Sequence, residues 1–172
     1  MNTRPGDIQI RISELSNGLH EYHFLPPASD LGLERNFHKP IAINATMEKR
    51  GGQLYVTAEV KTSAIFECDR CVEEFEQDLA ARYTKYYVFD ELEIGNFSDD
   101  GVRVLSPDTH QLDLTEDMRE TVMLSVPLKL LCAENCQGLC PRCGVNLNRS
   151  ECKCKEENID TRWESLKKFL DQ

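Results

Sequence analysis

The chain of 172 residues is near the usual size of one domain, so one main core is expected and no second independent fold. With 40% hydrophobic and 29% charged residues it has the apolar material for a core under a solvated surface, which excludes wholesale disorder. The net charge of -10 is uneven: residues 1–128 hold 12 Lys and Arg against 23 Asp and Glu, residues 129–172 hold 8 against 7, and so acidic a front argues against a broad electrostatic grip on nucleic acid.

Apolar runs such as 126–132 are broken well short of the roughly 20 residues that span a bilayer. The first residues, Met1 to Asp7, show no basic-then-apolar signal pattern, which predicts a cytoplasmic protein.

Residues 8–15 alternate apolar and polar, and Gly18 precedes an apolar-aromatic stretch from His20 to Leu25, which reads as strand, turn, strand. Pro26-Pro27 ends that unit, and residues 28–39 read as a polar connection with room for a short helix. Ile41, Ile43, Ala45 and Met47 alternate up to Gly51-Gly52, and Leu54, Val56, Ala58 and Val60 alternate away. Two glycines between such runs predict a tight antiparallel hairpin, its second arm running through Phe66 to Cys68. Phe75, Leu79, Ala81, Tyr83, Tyr87 and Phe89 keep one parity, which predicts a long aromatic-rich strand. Residues 90–101 read as a solvated acidic loop and Val102–Leu105 as a short strand. Thr115 is the expected N-cap of a helix bearing Met118, Val122 and Val126 at helical spacing, closed by Pro127. Asp160 caps a last expected helix in which Trp163, Leu166 and Leu170 share a face, with Phe169 beside it.

The eight cysteines fall into four close pairs: Cys68 and Cys71, Cys132 and Cys136, Cys140 and Cys143, Cys152 and Cys154. Paired disulfides are disfavoured in a reducing cytosol, whereas a tight turn aims two thiolates at one point and suits a tetrahedral metal. Cys140-Pro141-Arg142-Cys143-Gly144 has the zinc-knuckle pattern, and the short loop to Cys152 returns the chain to the same ion. One predicted site is therefore Cys140, Cys143, Cys152 and Cys154, which leaves Cys68 and Cys71 to meet Cys132 and Cys136. The second pairing ties the segment after the helix back to the sheet, and the first folds a tail around its own metal. Zinc is the default metal for closed thiolate sites, and four thiolates also suit iron–sulfur chemistry.

No G-x-S-x-G, H-E-x-x-H or phosphate loop is present, the histidines do not pair at ligand spacing, and an all-thiolate site has no open position for a reacting water. A non-enzymatic protein is expected. The rival is a thiol redox or metal-regulated enzyme using Cys68 and Cys71, but a redox C-x-x-C opens a helix after a strand, and this pair is expected between two strands. In the tail, Arg142, Arg149, Lys153 and Lys155 stand against one acid, Glu151, and are the candidates for touching RNA phosphates.

The stretch Phe66-Glu67-Cys68-Asp69-Arg70-Cys71-Val72-Glu73-Glu74-Phe75, the aromatic strand after it, and Val126-Pro127-Leu128-Lys129 through Cys132 and Cys136 to Cys140-Pro141-Arg142-Cys143-Gly144 resemble the YceD family of large ribosomal RNA subunit accumulation proteins. Asp160-Thr161-Arg162-Trp163 with Leu166 looks like that family's closing helix, and the likeness runs from about Ile41 onward. The resemblance implies a ribosome-assembly factor acting on accumulation or processing of large-subunit (23S) ribosomal RNA. The expected partner is precursor RNA or a basic ribosomal protein, the latter fitting the acidic front better.

The expected fold is α+β: a mainly antiparallel β-sheet with one or two packed helices and a cysteine-rich zinc-knuckle tail. Residues 1–131 would form the β body, with a helix near 115–126. Residues 132–172 would form the tail and C-terminal helix of the same domain, with two zinc sites in all.

Overall fold

The computed structural model describes residues 8–33, 35–90 and 101–154. The expected acidic loop, apart from its ends, and the expected helix from Asp160 fall outside these residues.

Among the described residues, seven strands and one α-helix follow in chain order: β1 (Gln9–Arg11), β2 (Gly18–Phe24), β3 (Ala42–Arg50), β4 (Gln53–Glu67), β5 (Glu74–Val88), β6 (Val102–Val104), β7 (Gln111–Asp113) and α1 (Thr115–Leu124), with a 3-10 turn at Ala28–Leu31. The main sheet has the order β2-β3-β4-β5-β6, antiparallel throughout except that β6 runs parallel to β5 at its edge. The sheet is thus mainly antiparallel, as expected, with one short parallel edge strand.

The hairpin at Gly51-Gly52 forms with Arg50 opposite Gln53, and Gly51 takes φ +57°, a backbone region open to glycine at little cost. Beyond it, β4 and β5 pair without a break from Gln53 opposite Val88 to Glu67 opposite Glu74. The parity of β5 places Leu79, Tyr83 and Tyr87 in the core, as alternation in a half-buried strand requires. Ile43, Met47, Leu54, Val56 and Tyr87 on the inner face meet Leu31, Leu114 and Met118 from the covering segments, all fully buried.

Two local expectations are corrected. Residues 8–15 do not pair with the strand after Gly18; β1 is short and pairs antiparallel with β7, as a separate two-stranded sheet. Alternation reports which face of a strand is buried and is silent about its partner, and here Ile8, Ile10 and Ile12 are buried beneath a pairing more than a hundred residues distant in sequence. Thr115 is not the N-cap but the first helical residue. The Asp113 carboxylate accepts the Thr115 N–H at 2.8 Å, and the Thr115 hydroxyl accepts the Ile8 N–H at 3.4 Å. Because β7 runs straight into the helix, the carboxylate that serves its first turn stands on the strand.

Helix α1 is pinned to β5 and β6 through Asp117, which is 5% exposed and receives both arms of the Arg103 guanidinium at 2.9 Å. The Tyr83 and Tyr87 hydroxyls are 2.6 Å apart, with that of Tyr87 3.4 Å from Asp117, and burial pushes the Tyr87 phenol up to about 12. After α1, residues 125–136 carry the chain to the turn between β4 and β5, where Leu130 bonds Asp69.

Candidate metal centres

The β4–β5 hairpin is closed by residues 68–73, whose turn is set by two backbone bonds: Cys68 N–H to Glu73 O and Val72 N–H to Cys68 O, both 2.9 Å. Val72 sits at φ +60°, the one described non-glycine residue at positive φ, so the turn holds a strained conformation that the surrounding bonds must enforce. This turn aims Cys68 and Cys71 inward, where both are buried.

The segment after α1 is brought to the turn by a reciprocal pair, Asp69 N–H to Leu130 O at 2.8 Å and Leu130 N–H to the Asp69 carboxylate at 2.7 Å. Arg70 then reaches over to the carbonyl of Cys136 at 2.7 Å and that of Glu134 at 3.3 Å. The result places Cys132 and Cys136 against Cys68 and Cys71, with Phe75 and Leu131 packed against the sulfurs. Cys68 Sγ lies 3.8 Å from Cys136 Sγ, and Cys71 Sγ lies 3.6 Å from Cys132 Sγ, 61 positions away in the chain.

The second group forms around the turn at residues 140–144. Gly144 at φ +72° returns its N–H to Cys140 O at 2.9 Å, while the Cys140 N–H goes to Val145 O at 2.8 Å. Cys152 Sγ stands 3.2 Å from Cys140 Sγ and 3.6 Å from Cys143 Sγ, with the Cys154 N–H directed at Cys152 Sγ from 3.3 Å. Within each group all four sulfurs lie within 4.8 Å of one another.

These spacings decide between chemistries. A disulfide needs sulfurs about 2.05 Å apart, and all eight cysteines are free. A tetrahedron with metal–sulfur bonds of about 2.3 Å has edges of about 3.8 Å; the sulfur pairs at 3.6–3.8 Å match it, and the Cys140–Cys152 pair at 3.2 Å is somewhat tighter. Both groups therefore have the donor set and the spacing of a four-thiolate metal site. Among the described residues they are the groups of potential ligands that converge in this way; His20 bonds the Ser16 carbonyl and His23 bonds Asn44 instead.

The electrostatics repeat between the groups. The Cys132 backbone N–H, joined by those of Arg70 and Cys71, brings the Cys68 thiol down to about 6 against its burial. The N–H groups of Cys143 and Arg142 do the same for Cys140, also to about 6. In each group another thiol moves the other way: the Cys71 sulfur and burial push Cys132 up to about 12, and the Cys152 and Cys143 sulfurs push Cys154 up to about 12. One sulfur is primed to ionise, and a full set of four thiolates requires a cation among them.

The two groups are not apart. Residues 137–139 run between them, with Leu139 N–H donated to Arg70 O at 3.0 Å on one side and Gly138 O accepting the Leu147 N–H at 2.9 Å on the other. Gly138 takes φ +75° and packs so closely on the Arg70 backbone that a Cβ there would lie 2.8 Å from its carbonyl oxygen. Asn148 and Arg149, from the loop between Cys143 and Cys152, reach Cys136 and Glu73 respectively. These links are invisible to spacing arguments, since Asn148, Gly138, Asp69 and Arg70 are not ligands and cysteine spacing alone does not constrain them.

The basic residues of the tail are dispersed in role. Arg149 forms an ion pair with Glu73 at 2.9 Å, Arg142 and Lys153 are exposed, and Lys155 lies outside the described residues. No helix among the described residues is long and apolar enough to cross a membrane.

Residues 56–170 match the family described as large ribosomal RNA subunit accumulation protein YceD, a span that contains both cysteine groups. Two plant relatives are named large ribosomal RNA subunit accumulation protein YCED homolog 1, chloroplastic. That of Zea mays is 26% identical over 70% of this chain and 50% of its own, and that of Arabidopsis thaliana is 20% identical over 77% and 49%. An uncharacterised protein of Mycobacterium tuberculosis is 31% identical over 67% of this chain and 55% of its own. The chain thus spans about half the length of the curated relatives it matches. No solved structure matches it.

Proposed function

The chain belongs to the YceD family of large ribosomal RNA subunit accumulation proteins, and from that premise we propose that it is a non-enzymatic, cytoplasmic ribosome-assembly factor that promotes accumulation or processing of 23S ribosomal RNA. The observation that supports the reading is the convergence of Cys68, Cys71, Cys132 and Cys136, from two distant segments of the family-matched span, onto one group with all four sulfurs within 4.8 Å of one another. A four-thiolate site is coordinatively closed, so the metal supplies shape rather than a Lewis-acid centre. Zinc is the ion such sites usually take; Cys68, Cys71, Cys132 and Cys136 would hold one and Cys140, Cys143, Cys152 and Cys154 the other.

The protein then acts by presenting a surface. With the negative charge concentrated in residues 1–128 and Arg149 engaged by Glu73, a basic large-subunit ribosomal protein is the better-matched partner. Precursor RNA is the alternative contact, through the rim around Arg142 and Lys153. Depletion followed by profiling of precursor and mature ribosomal RNA, with purification of the tagged chain, tests the reading. A shortfall of mature large-subunit RNA and recovery of a large-subunit protein are expected; unchanged RNA and no ribosomal partner would overturn it.

The lowered Cys68 thiol gives the redox reading its one supporting observation. Against it, Cys68 and Cys71 close an antiparallel hairpin and open no helix, and the N–H groups that stabilise a Cys68 thiolate serve a metal ligand equally well. Alkylation of the metal-loaded protein separates the two: a metal site shields Cys68, and rapid selective labelling of Cys68 would favour redox chemistry.

A further inference from the structure

The loop that closes the second cysteine group also supplies a hydrogen bond to the first. Asn148 lies between Cys143 and Cys152 in sequence, and its Nδ2 donates to Cys136 Sγ at 3.3 Å. The amide is held by its other atoms: Oδ1 accepts the Gln137 N–H at 2.8 Å, and Nδ2 also donates to Asn146 Oδ1 at 2.9 Å. Around it, Leu147 N–H meets Gly138 O, Leu139 bridges Asn146, and Arg149 pairs with Glu73. The loop therefore touches the first group at a ligand sulfur, at the chain segment that carries Cys136, and at the hairpin turn that carries Cys71.

We propose that Asn148 is a positioning residue that couples the two metal sites, so that filling the Cys140 site fixes the loop and raises the affinity of the Cys68 site. The proposal rests on the reading of both groups as metal centres. Its physical basis is that an N–H donor to a thiolate spreads the sulfur's charge and fixes its direction, and partners of this kind typically change metal affinity by about 10–100-fold. The donor is in place only when the loop is folded, and that loop is anchored at both ends by cysteines of the other site. Linkage makes the coupling reciprocal: the filled Cys68 site must raise the affinity of the Cys140 site by the same factor.

The test uses the full, reduced chain, zinc competed with a chelator, and cobalt(II) as a spectroscopic probe, in five forms: native, Asn148→Ala, Asn148→Asp, Cys143→Ser with Cys152→Ser, and that double variant with Asn148→Ala added. Asn148→Ala is expected to weaken the Cys68 site about tenfold. Asn148→Asp keeps the acceptor for the Gln137 N–H but sets a carboxylate against the thiolate, so it should weaken the site further, which a purely structural role would not produce. Loss of the donor should also move the sulfur-to-cobalt charge-transfer band of that site to lower energy. Removing the Cys140 site should weaken the Cys68 site as much as Asn148→Ala does, and adding Asn148→Ala to that form should then change nothing. Two metals in the native chain with a Cys68-site affinity that stays within about twofold across the variants would overturn the coupling alone. A native chain that binds no metal at either group would overturn the metal reading and the coupling with it.

Discussion

Gly138 lies so close to Arg70 that a single methyl group at Gly138 would stand 2.8 Å from the Arg70 carbonyl oxygen, inside any tolerable contact. That carbonyl already accepts the Leu139 N–H, so neither backbone can retreat without breaking the bond that docks the tail on the hairpin turn. Gly138→Ala adds to this the cost of a side chain at φ +75°. A loss of about 2–3 kcal/mol is expected, combining the clash with the left-handed backbone. Thermal unfolding of the metal-loaded chain should show it as a fall of roughly 4–10 °C in Tm, whereas Gly52→Ala, with open space around it, should fall far less.

The two cysteine groups should differ in what their loss does to the sheet. Cys68 and Cys71 are buried at the end of the longest strand pair, while Cys143 and Cys154 are exposed. Cys140→Ser should leave amide exchange in β3, β4 and most of β5 as slow as in the native chain and release residues 140–154. Cys68→Ser should quicken exchange at the β4–β5 tip and in residues 130–136 as well. Exchange followed by mass spectrometry reads both outcomes.

Asp117 is a buried charged group that the fold tolerates chiefly through the bidentate Arg103, with the Tyr87 hydroxyl donating more weakly. Asp117→Asn keeps the size but replaces one acceptor with a donor facing the guanidinium. A loss of about 2 kcal/mol is expected, within the range for a charged hydrogen bond partly open to solvent. The change should be seen in chemical denaturation and be absent from metal stoichiometry, since the pair lies at α1 and β6 and not at either sulfur group.

Much of this architecture was legible in the residues and some was not, for identifiable reasons. The long β4 and β5 arms declare themselves because alternation persists over many residues with a two-glycine turn between β3 and β4. The division of the cysteines into two groups follows from short return loops, leaving the distant pairs to each other. Alternation around Ile10 could not name β7 as its partner, because a buried face carries no record of which strand lies beside it. Thr115 looked like a cap since its type and position fit, and only the strand leading directly into α1 shows that Asp113 takes the role. Asn148 and Gly138 act through shape and a single donor, which no spacing rule encodes. Arg149, read as a candidate for RNA phosphates, turns out to face Glu73, a residue 76 positions earlier in the chain.

That ion pair yields a modest prediction. Both side chains keep considerable exposure, 72% for Arg149 and 37% for Glu73, so solvent screens their attraction. Arg149→Ala should change stability by no more than about 0.5 kcal/mol. If the chain works through a basic protein partner, the same variant should bind that partner as well as the native chain does; a steep loss of affinity for precursor RNA with a reduced salt dependence would instead mark Arg149 as a phosphate contact.

The central claim is that a metal-held surface serves the accumulation of large-subunit ribosomal RNA. It is tested most directly by the ratio of mature large- to small-subunit ribosomal RNA in cells depleted of the protein and resupplied with either the native chain or Cys68→Ser with Cys71→Ser. The account predicts that depletion lowers the ratio, that the native chain restores it, and that the cysteine variant does not. A ratio unaffected by depletion, or one restored in full by the variant, would contradict it.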